Sequence, residues 1–536
     1  MIRARRPFVS RDAGQTSATG TLIVCLLSAY YVGSAFQLGR RTFWTRGLGD
    51  WIDPYFINFL LEHWYNSIST FSDPSSPPMF APIRGTLGYS HGLVLYAPFY
   101  AALRPFFHPF QSYGLMLFIV MEIGIVSLYL VLRVAFRLSF VEALLLSAFF
   151  LTSRNIMNGL MGVWSQRGSV FLIPPILLLV FLSRRMSAVG PRAVLALLSG
   201  LLSTLLFTQD FYTGALAVLV ALLGFLPLAL IAGVPVAAEL RAGRWPVPFA
   251  VGATGGALIF IWLYFPAYRE HPAFSDDEVM SALVLRESFQ WRRPVDLIRG
   301  LSAYDSVRTF VFVFVSAVLT WIPAFKMDKD TRRGTLCFLV FSLLVFVIPI
   351  RFGDFSIWTA VFRRVPGLDA IRDPKLIIYL YELAAVLATG VFLIRMPTRS
   401  GLRVSAALLL VLLLSAEPNR VVFDFLRPNE TYARWIERPI EIDPACRSFF
   451  VTPASQAYAR RLNADWTIYD ADSMFVALNH SIPTLNGYSA WTPEGWHLGN
   501  PTDPDYAAEV ARWIDRYELK GVCEFDIERR TMRPRP

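Results

Sequence analysis

Asp50 and Asp53 stand three residues apart in Gly49-Asp50-Trp51-Ile52-Asp53-Pro54-Tyr55-Phe56. On a helix that spacing puts both carboxylates on one face. One member of such a pair can take a proton as a general base while the other orients it or holds a cation. The same residues also suit a plain helix start. Asp before Pro is a capping pattern, and the helix dipole favours a carboxylate there. Both readings place a helix from Asp53 onwards, with Glu62 and His63 expected on its solvated face.

Four other stretches hold polar side chains where a ligand can be met. In Pro82-Ile83-Arg84-Gly85-Thr86-Leu87-Gly88-Tyr89-Ser90-His91, two glycines and a proline shape a loop. Arg84 and His91 can there bind a phosphate or a sugar, or simply hold the loop. Ser165-Gln166-Arg167 and Thr208-Gln209-Asp210-Phe211-Tyr212 both lie at ends of apolar runs. Asp210 at a membrane boundary needs solvent or a partner, and Arg167 opens to the same side. Arg363 to Lys375 (RRVPGLDAIRDPK) is a basic loop whose Arg372 and Lys375 suit a phosphate or pyrophosphate on a lipid carrier. Anionic lipid headgroups are the alternative ligand. In the tail, Tyr488, Trp491 and Trp496 offer aromatic faces for a sugar, or fill the tail's own core. There is no CxxC and no His/Cys cluster at zinc-ligand spacing.

The elements that must carry these residues are membrane helices. The chain has 536 residues, of which 54% are apolar, 17% charged and 15% aromatic. Mean hydropathy is +0.45. Soluble domains are about 45–50% apolar and about 25% charged. A disordered, collagen-like or coiled-coil chain is excluded, and a purely soluble one disfavoured. Eleven apolar runs read as spans: 19–36, 112–132, 140–154, 168–183, 193–207, 211–232, 247–265, 309–325, 334–350, 376–394 and 404–418. The stretch 92–107 carries Pro98, Arg104 and Pro105, and reads as an amphipathic or re-entrant surface helix. With the N-terminus inside, the cytoplasmic segments hold 18 basic residues against Asp12, Glu239, Asp328 and Asp330. The net charge of +10 is thus a positive-inside topology signal, not a nucleic-acid surface. The first run has no clear cleavage site and reads as an uncleaved anchor.

Outside the spans, residues 37–111, 266–308 and 351–375 form outer loops. Residues 419–536 form a small soluble domain on the same, periplasmic side of a bacterial inner membrane. Strands are expected at 448–452 and 521–527, and a helix at 503–518 capped by Asp503 with Pro504 in its first turn. An oxidising compartment would permit a Cys446–Cys523 disulfide. Cys25 and Cys337 fall within spans.

Taken together, GDWIDPYF, PIRGTLGYSHG, VPGLDAIRDPK and LNGYSAWTPEGW, in that order, resemble the C superfamily of membrane glycosyltransferases (GT-C), and within it large bacterial polytopic proteins. The resemblance implies a mainly α, polytopic GT-C core over 1–418 with a long first outer loop, followed by a C-terminal periplasmic α/β domain. It implies transfer of a hexosyl or pentosyl unit, with inversion, from a polyprenyl-phosphate sugar donor to a glycan, lipid or protein acceptor. By position the catalytic acid maps onto Asp50 or Asp53. A divalent cation (Mg or Mn) is used by some members and not others. Arg372, Lys375 and Arg84 then meet the donor phosphate. His91, Arg167, Asp210, Tyr488 and Trp491 meet the substrates. Competing classes are a transporter or flippase for lipid-linked saccharides, a non-catalytic envelope assembly protein, and a polymerase with a diphosphate-linked donor. The transporter would need polar groups deep in several spans, where only Glu122 and Glu382 qualify.

Overall fold

The computed structural model describes residues 18–45, 47–49, 53–153, 156–157, 165–232, 245–270, 289–290, 329–353, 355–362, 371, 373–395, 439–452 and 467–535. In chain order the helices are α1 (Ala18–Ala35), α2 (Arg41–Thr45), α3 (Asp53–Thr70), α4 (Ala97–Leu103), α5 (Pro109–Leu130), α6 (Phe140–Leu151), α7 (Ile173–Arg185), α8 (Val189–Gln209), α9 (Phe211–Ala232) and α10 (Pro246–Glu270). They continue with α11 (Lys329–Val347), α12 (Ile357–Phe362), α13 (Ile377–Arg395), α14 (Thr467–His480) and α15 (Tyr506–Arg516).

Six stretches among the described residues are helical, long and apolar enough to cross a membrane: Ala18–Ala35, Pro109–Ala135, Arg167–Arg185, Val189–Gln209, Pro246–Arg269 and Pro374–Ile394. They match six of the expected spans. Phe140–Leu151 and Phe211–Gly224 are shorter apolar helices at two more. The expected span at 334–350 lies mostly within α11, which opens on charged residues. The expected spans 309–325 and 404–418 fall outside the described residues. Leu22, Leu26, Leu222 and Trp262 are all exposed. Apolar side chains facing outward as well as inward are what lipid as solvent permits. This is a membrane protein. The helix from Pro374 is the exception in its burial, with 89% of its apolar window inside the protein. It packs against α6, α9 and α11 and so occupies the middle of the bundle.

The stretch 92–107 does not span. Its helix, α4, is seven residues long and packs on α3 and α5. α3 departs from expectation. Glu62 and His63 are buried, because α3 is covered by α4 and α5 and by the tail helix α14. Glu62 accepts hydrogen bonds from Tyr100 and from Arg104 Nε, the latter at 2.6 Å. Burial raises its carboxyl, against the pull of Arg104. His63 Nε2 lies 3.0 Å from the Pro74 carbonyl, and burial lowers the imidazole to about 4.

Strands β1 (Phe289–Gln290), β2 (Ile350–Phe352) and β3 (Phe355–Ser356) make a short sheet. The tail forms a four-stranded sheet of β4 (Glu441–Ile442), β5 (Ser448–Val451), β6 (Val522–Asp526) and β7 (Thr531–Pro534), in the order β4-β7-β6-β5. β5 and β6 run parallel, with Ser448 opposite Val522, and β6 and β7 run antiparallel. Both expected strands are present. α15 starts at Tyr506 rather than at 503. Asp503 Oδ1 instead accepts from Asp505 N at 2.9 Å, which closes a turn ahead of the helix.

Cys446 and Cys523 are disulfide-bonded across 77 residues. Closing a long loop removes conformational freedom from the unfolded chain. Replacing both cysteines by Ala is expected to cost about 2–5 kcal/mol. It should lower the melting temperature in detergent; an unchanged melting curve would show that the bridge contributes nothing.

Candidate functional site

The candidate residues fall into two polar centres, and one loop links them. The first is at the start of α3. Asp53 is the first residue of that helix, and its Oδ1 accepts a hydrogen bond from Tyr488 Oη at 2.9 Å. Two residues later, Tyr55 Oη donates to Asp472 Oδ1 of α14 at 3.0 Å, and both of these groups are fully buried. Aromatic rings close the joint. Tyr55 lies 4.5 Å from Phe475, and Phe56 meets Tyr488 edge-on at 5.4 Å. α3 is therefore gripped along its first two turns by a segment more than 400 residues away in sequence.

That grip is part of a longer seam. Thr484 N donates to Pro78 O at 3.1 Å, Ala81 N to Thr484 O at 2.9 Å, and Phe80 N to Asn486 O at 3.2 Å. Trp513 Nε1 donates to Ala81 O at 2.8 Å, and Ser489 Oγ to Tyr89 O at 2.8 Å. Gly487 permits the approach: a Cβ there would lie 2.5 Å from the Phe80 ring. Trp496 packs on Phe80 at 4.9 Å and donates to Leu485 O. Trp491 is half-buried and packs against the same core.

The second centre lies at the ends of the bundle helices. The loop 82–92 descends onto α10 and the end of α8. Gly92 N donates to Tyr264 Oη at 3.0 Å, and Tyr264 Oη donates to Ser90 O at 2.9 Å. Gln209 Oε1 accepts from the backbone N–H groups of Leu95 and Tyr96. A Cβ at Gly92 would fall 2.5 Å from the Thr208 carbonyl oxygen, so the fit requires glycine. The result brings His91 Nδ1 to 3.1 Å from Asp210 Oδ1. Asp210 is buried between α8 and α9. It also accepts from Tyr212 N, Thr213 N and Thr213 Oγ1 at the start of α9. Those helix-terminal donors stabilise a carboxylate in a place otherwise costly for it.

Across from Asp210 sits Arg167, buried to 7% exposure. Its guanidinium donates to Tyr379 Oη and to Asp373 Oδ2, the latter at 3.2 Å, and lies 5.0 Å from the Tyr379 ring centre. Lys375 Nζ is 3.8 Å from Asp373 Oδ1. A small pocket opens among Arg167, Asp210, Tyr212, Thr213 and Tyr379, walled by Val170, Leu216, Leu376 and Leu380. Arg167 and Asp210 are the charged side chains that line it, and Asp373 pairs with Arg167 and Lys375 just outside. The pocket sets this polar pair against an apolar wall.

The structure thus brings together His91, Arg167, Asp210 and Lys375, and pairs Asp53 with Tyr488. Arg84 is exposed and is not one of the residues lining the pocket. Asp50 and Arg372 lie outside the described residues. Tyr379, Asp373, Thr213 and Asn486 were not singled out from sequence. Tyr379 sits inside an apolar run that gives no signal. Asn486 is the buried hub that donates to Asp470 Oδ1 and Leu498 O and accepts from Val451 N. Among the described residues no group of three His, Cys, Asp or Glu side chains is placed to hold a metal ion. Asp210 spends both oxygens on donors, and Asp373 spends both on cations. These residues do not fit a cation site, and no chemical step is drawn through one.

Comparison with solved structures finds likenesses at low identity. The chain is similar to the apo oligosaccharyltransferase of Archaeoglobus fulgidus at 12% identity and TM-score 0.48, covering 94% of this chain and 69% of that one. It is similar to the mycobacterial arabinofuranosyltransferase AftD at 16% identity and TM-score 0.43, covering 83% of this chain and 30% of that one. It is also similar to the oligosaccharyltransferase AglB of Archaeoglobus fulgidus in complex with an inhibitory peptide and a dolichol-phosphate, at 12% identity and TM-score 0.46, covering 94% and 69%. No family model and no curated protein matches the chain.

The seam has a pH signature. Burial raises the Asp472 carboxyl to about 8, opposed by the hydrogen bond from Tyr55, and raises Asp470 well above the ordinary range, opposed by Asn486. The folded protein then keeps the Asp472 proton where the unfolded chain, titrating near 3.8, has lost it. This contribution is fully present below pH 3.8, declines as pH rises, and is gone above about 8. Asp472→Asn keeps an acceptor for Tyr55 without the charge. Its melting temperature should exceed that of the wild type at pH 8, with the gap closing towards pH 5; parallel pH profiles would contradict this.

Proposed function

We propose that the chain is a membrane glycosyltransferase that moves a sugar from a polyprenyl-phosphate donor to an extracytoplasmic glycan, lipid or protein acceptor. The observation that carries the reading is the pocket at Arg167. A buried guanidinium, held by Tyr379 and Asp373 with Lys375 near Asp373, shares a pocket with Asp210, itself paired with His91, beside an apolar wall. A lipid-linked sugar phosphate has the same three parts: an isoprenoid, an anionic phosphate, and a hydroxyl-rich head.

In this reading the acceptor hydroxyl loses its proton to Asp53, or to its neighbour Asp50. The acceptor oxygen bonds to the anomeric carbon from the face opposite the phosphate, and the bond from that carbon to the phosphate oxygen breaks with inversion. The electron pair leaves on the lipid phosphate, where Arg167, with Lys375 and Arg372, offsets the charge that develops. Asp210 and His91 orient the sugar's hydroxyls.

The test is turnover by the purified protein in lipid nanodiscs, with a panel of radiolabelled polyprenyl-phosphate sugars. Arg167→Ala should lower kcat/KM by on the order of 10²-fold or more, and Asp53→Asn or Asp50→Asn should abolish transfer. No turnover across the panel, together with full complementation of a deletion strain by these variants, would move the assignment to lipid-linked saccharide transport or envelope assembly.

A further inference from the structure

Asp53 is anchored from the far end of the chain. Its carboxylate accepts the phenolic hydroxyl of Tyr488, and the Tyr488 ring meets Phe56, one turn into the same helix. Tyr488 is itself fixed at both sides. Gly487 presses against Phe80, and Ser489 Oγ donates to the carbonyl of Tyr89, two residues before His91. The next turn of α3 is held in the same way, through Tyr55 and Asp472. A hydrogen bond from a phenol that is itself packed on the same helix fixes the orientation of the carboxylate at the helix start. A hydrogen bond to a charged group is worth more than a neutral one and specifies direction as well.

We infer that Tyr488 is a positioning residue for Asp53, so that the C-terminal tail is a working part of the catalytic centre and not only an acceptor-binding cap. This rests on the reading of Asp53 as the base. Through the Ser489–Tyr89 contact the same short segment also sets the loop that presents His91 to Asp210. One four-residue stretch, Asn486 to Ser489, is then joined to both polar centres.

The experiment compares Tyr488→Phe, Ser489→Ala and Asp53→Asn in the full chain, in nanodiscs, with the donor that the wild type turns over. Read for each are kcat, the KM of donor and of acceptor, and the melting temperature. Tyr488→Phe keeps the ring and its contact with Phe56 and removes only the hydroxyl. Its kcat should fall about tenfold to a hundredfold, with both KM values within about twofold of wild type and the melting temperature kept. Ser489→Ala removes a tail-to-loop hydrogen bond without touching Asp53, and its effect, passed through the loop that carries His91, should fall on the donor KM. Four outcomes would overturn the inference. Unchanged kcat in Tyr488→Phe with an inactive Asp53→Asn sinks it while leaving the base in place. A raised acceptor KM at unchanged kcat makes Tyr488 a substrate contact. An equal fall of kcat and of melting temperature in Tyr488→Phe and Ser489→Ala reduces both to docking. An active Asp53→Asn removes the base itself and the positioning role with it.

Discussion

The site depends on one seam, between residues 78–89 and residues 484–489 of the tail. A loop that leaves regular structure carries backbone N–H and C=O groups that must find partners. Here the partners are supplied by a strand-like pairing of Pro78, Phe80 and Ala81 with Thr484 and Asn486. Trp513 caps the pairing from α15. Local propensity cannot define that loop; it takes its shape from a segment some 400 residues later. The consequence is mechanical. The tail segment holds Asp53 through Tyr488 and the chain just before His91 through Ser489, so both polar centres take geometry from the tail.

The membrane bundle contributes the other half. The central helix, α13, is buried along its length, and the turn that begins it brings Asp373 and Lys375 against Arg167. Asp210 closes the opposite wall, held by donors at the start of α9. A buried arginine is tolerable because its donors are occupied by a carboxylate and a phenol. Of the apolar residues beside it, Leu216 belongs to α9, which exposes Leu222 elsewhere, and Leu376 and Leu380 belong to the buried central segment.

Much of this was legible in the residues. Apolar run length exposed the helices, because lipid requires continuous apolar surface. Punctuation by Pro and Arg marked 92–107 as something other than a span. Arg167, Asp210, His91 and Lys375 stood out because charge at a membrane edge needs a reason. What was not legible came from tertiary contact. Glu62 and His63 read as a solvated face because their pattern on α3 is polar, yet α14 and α4 cover them. Tyr488 read as a face for sugar or for packing, and its hydroxyl instead lies on Asp53. Tyr379 had no signal within IIYLYE. Residues drawn together from positions 167, 210 and 379 leave no local spacing to read.

The central claim is that the Arg167 pocket receives the phosphate of a lipid-linked sugar. The most direct measurement is an experimental structure of the protein in nanodiscs with a polyprenyl-phosphonate sugar that cannot be cleaved. The account predicts the phosphonate within hydrogen-bond reach of Arg167 and Lys375, the isoprenoid along Leu216 and Leu380, and the sugar turned towards Asp53. A phosphonate bound elsewhere on the protein, with the Arg167–Asp373–Tyr379 contacts unchanged and the pocket closed, would contradict it.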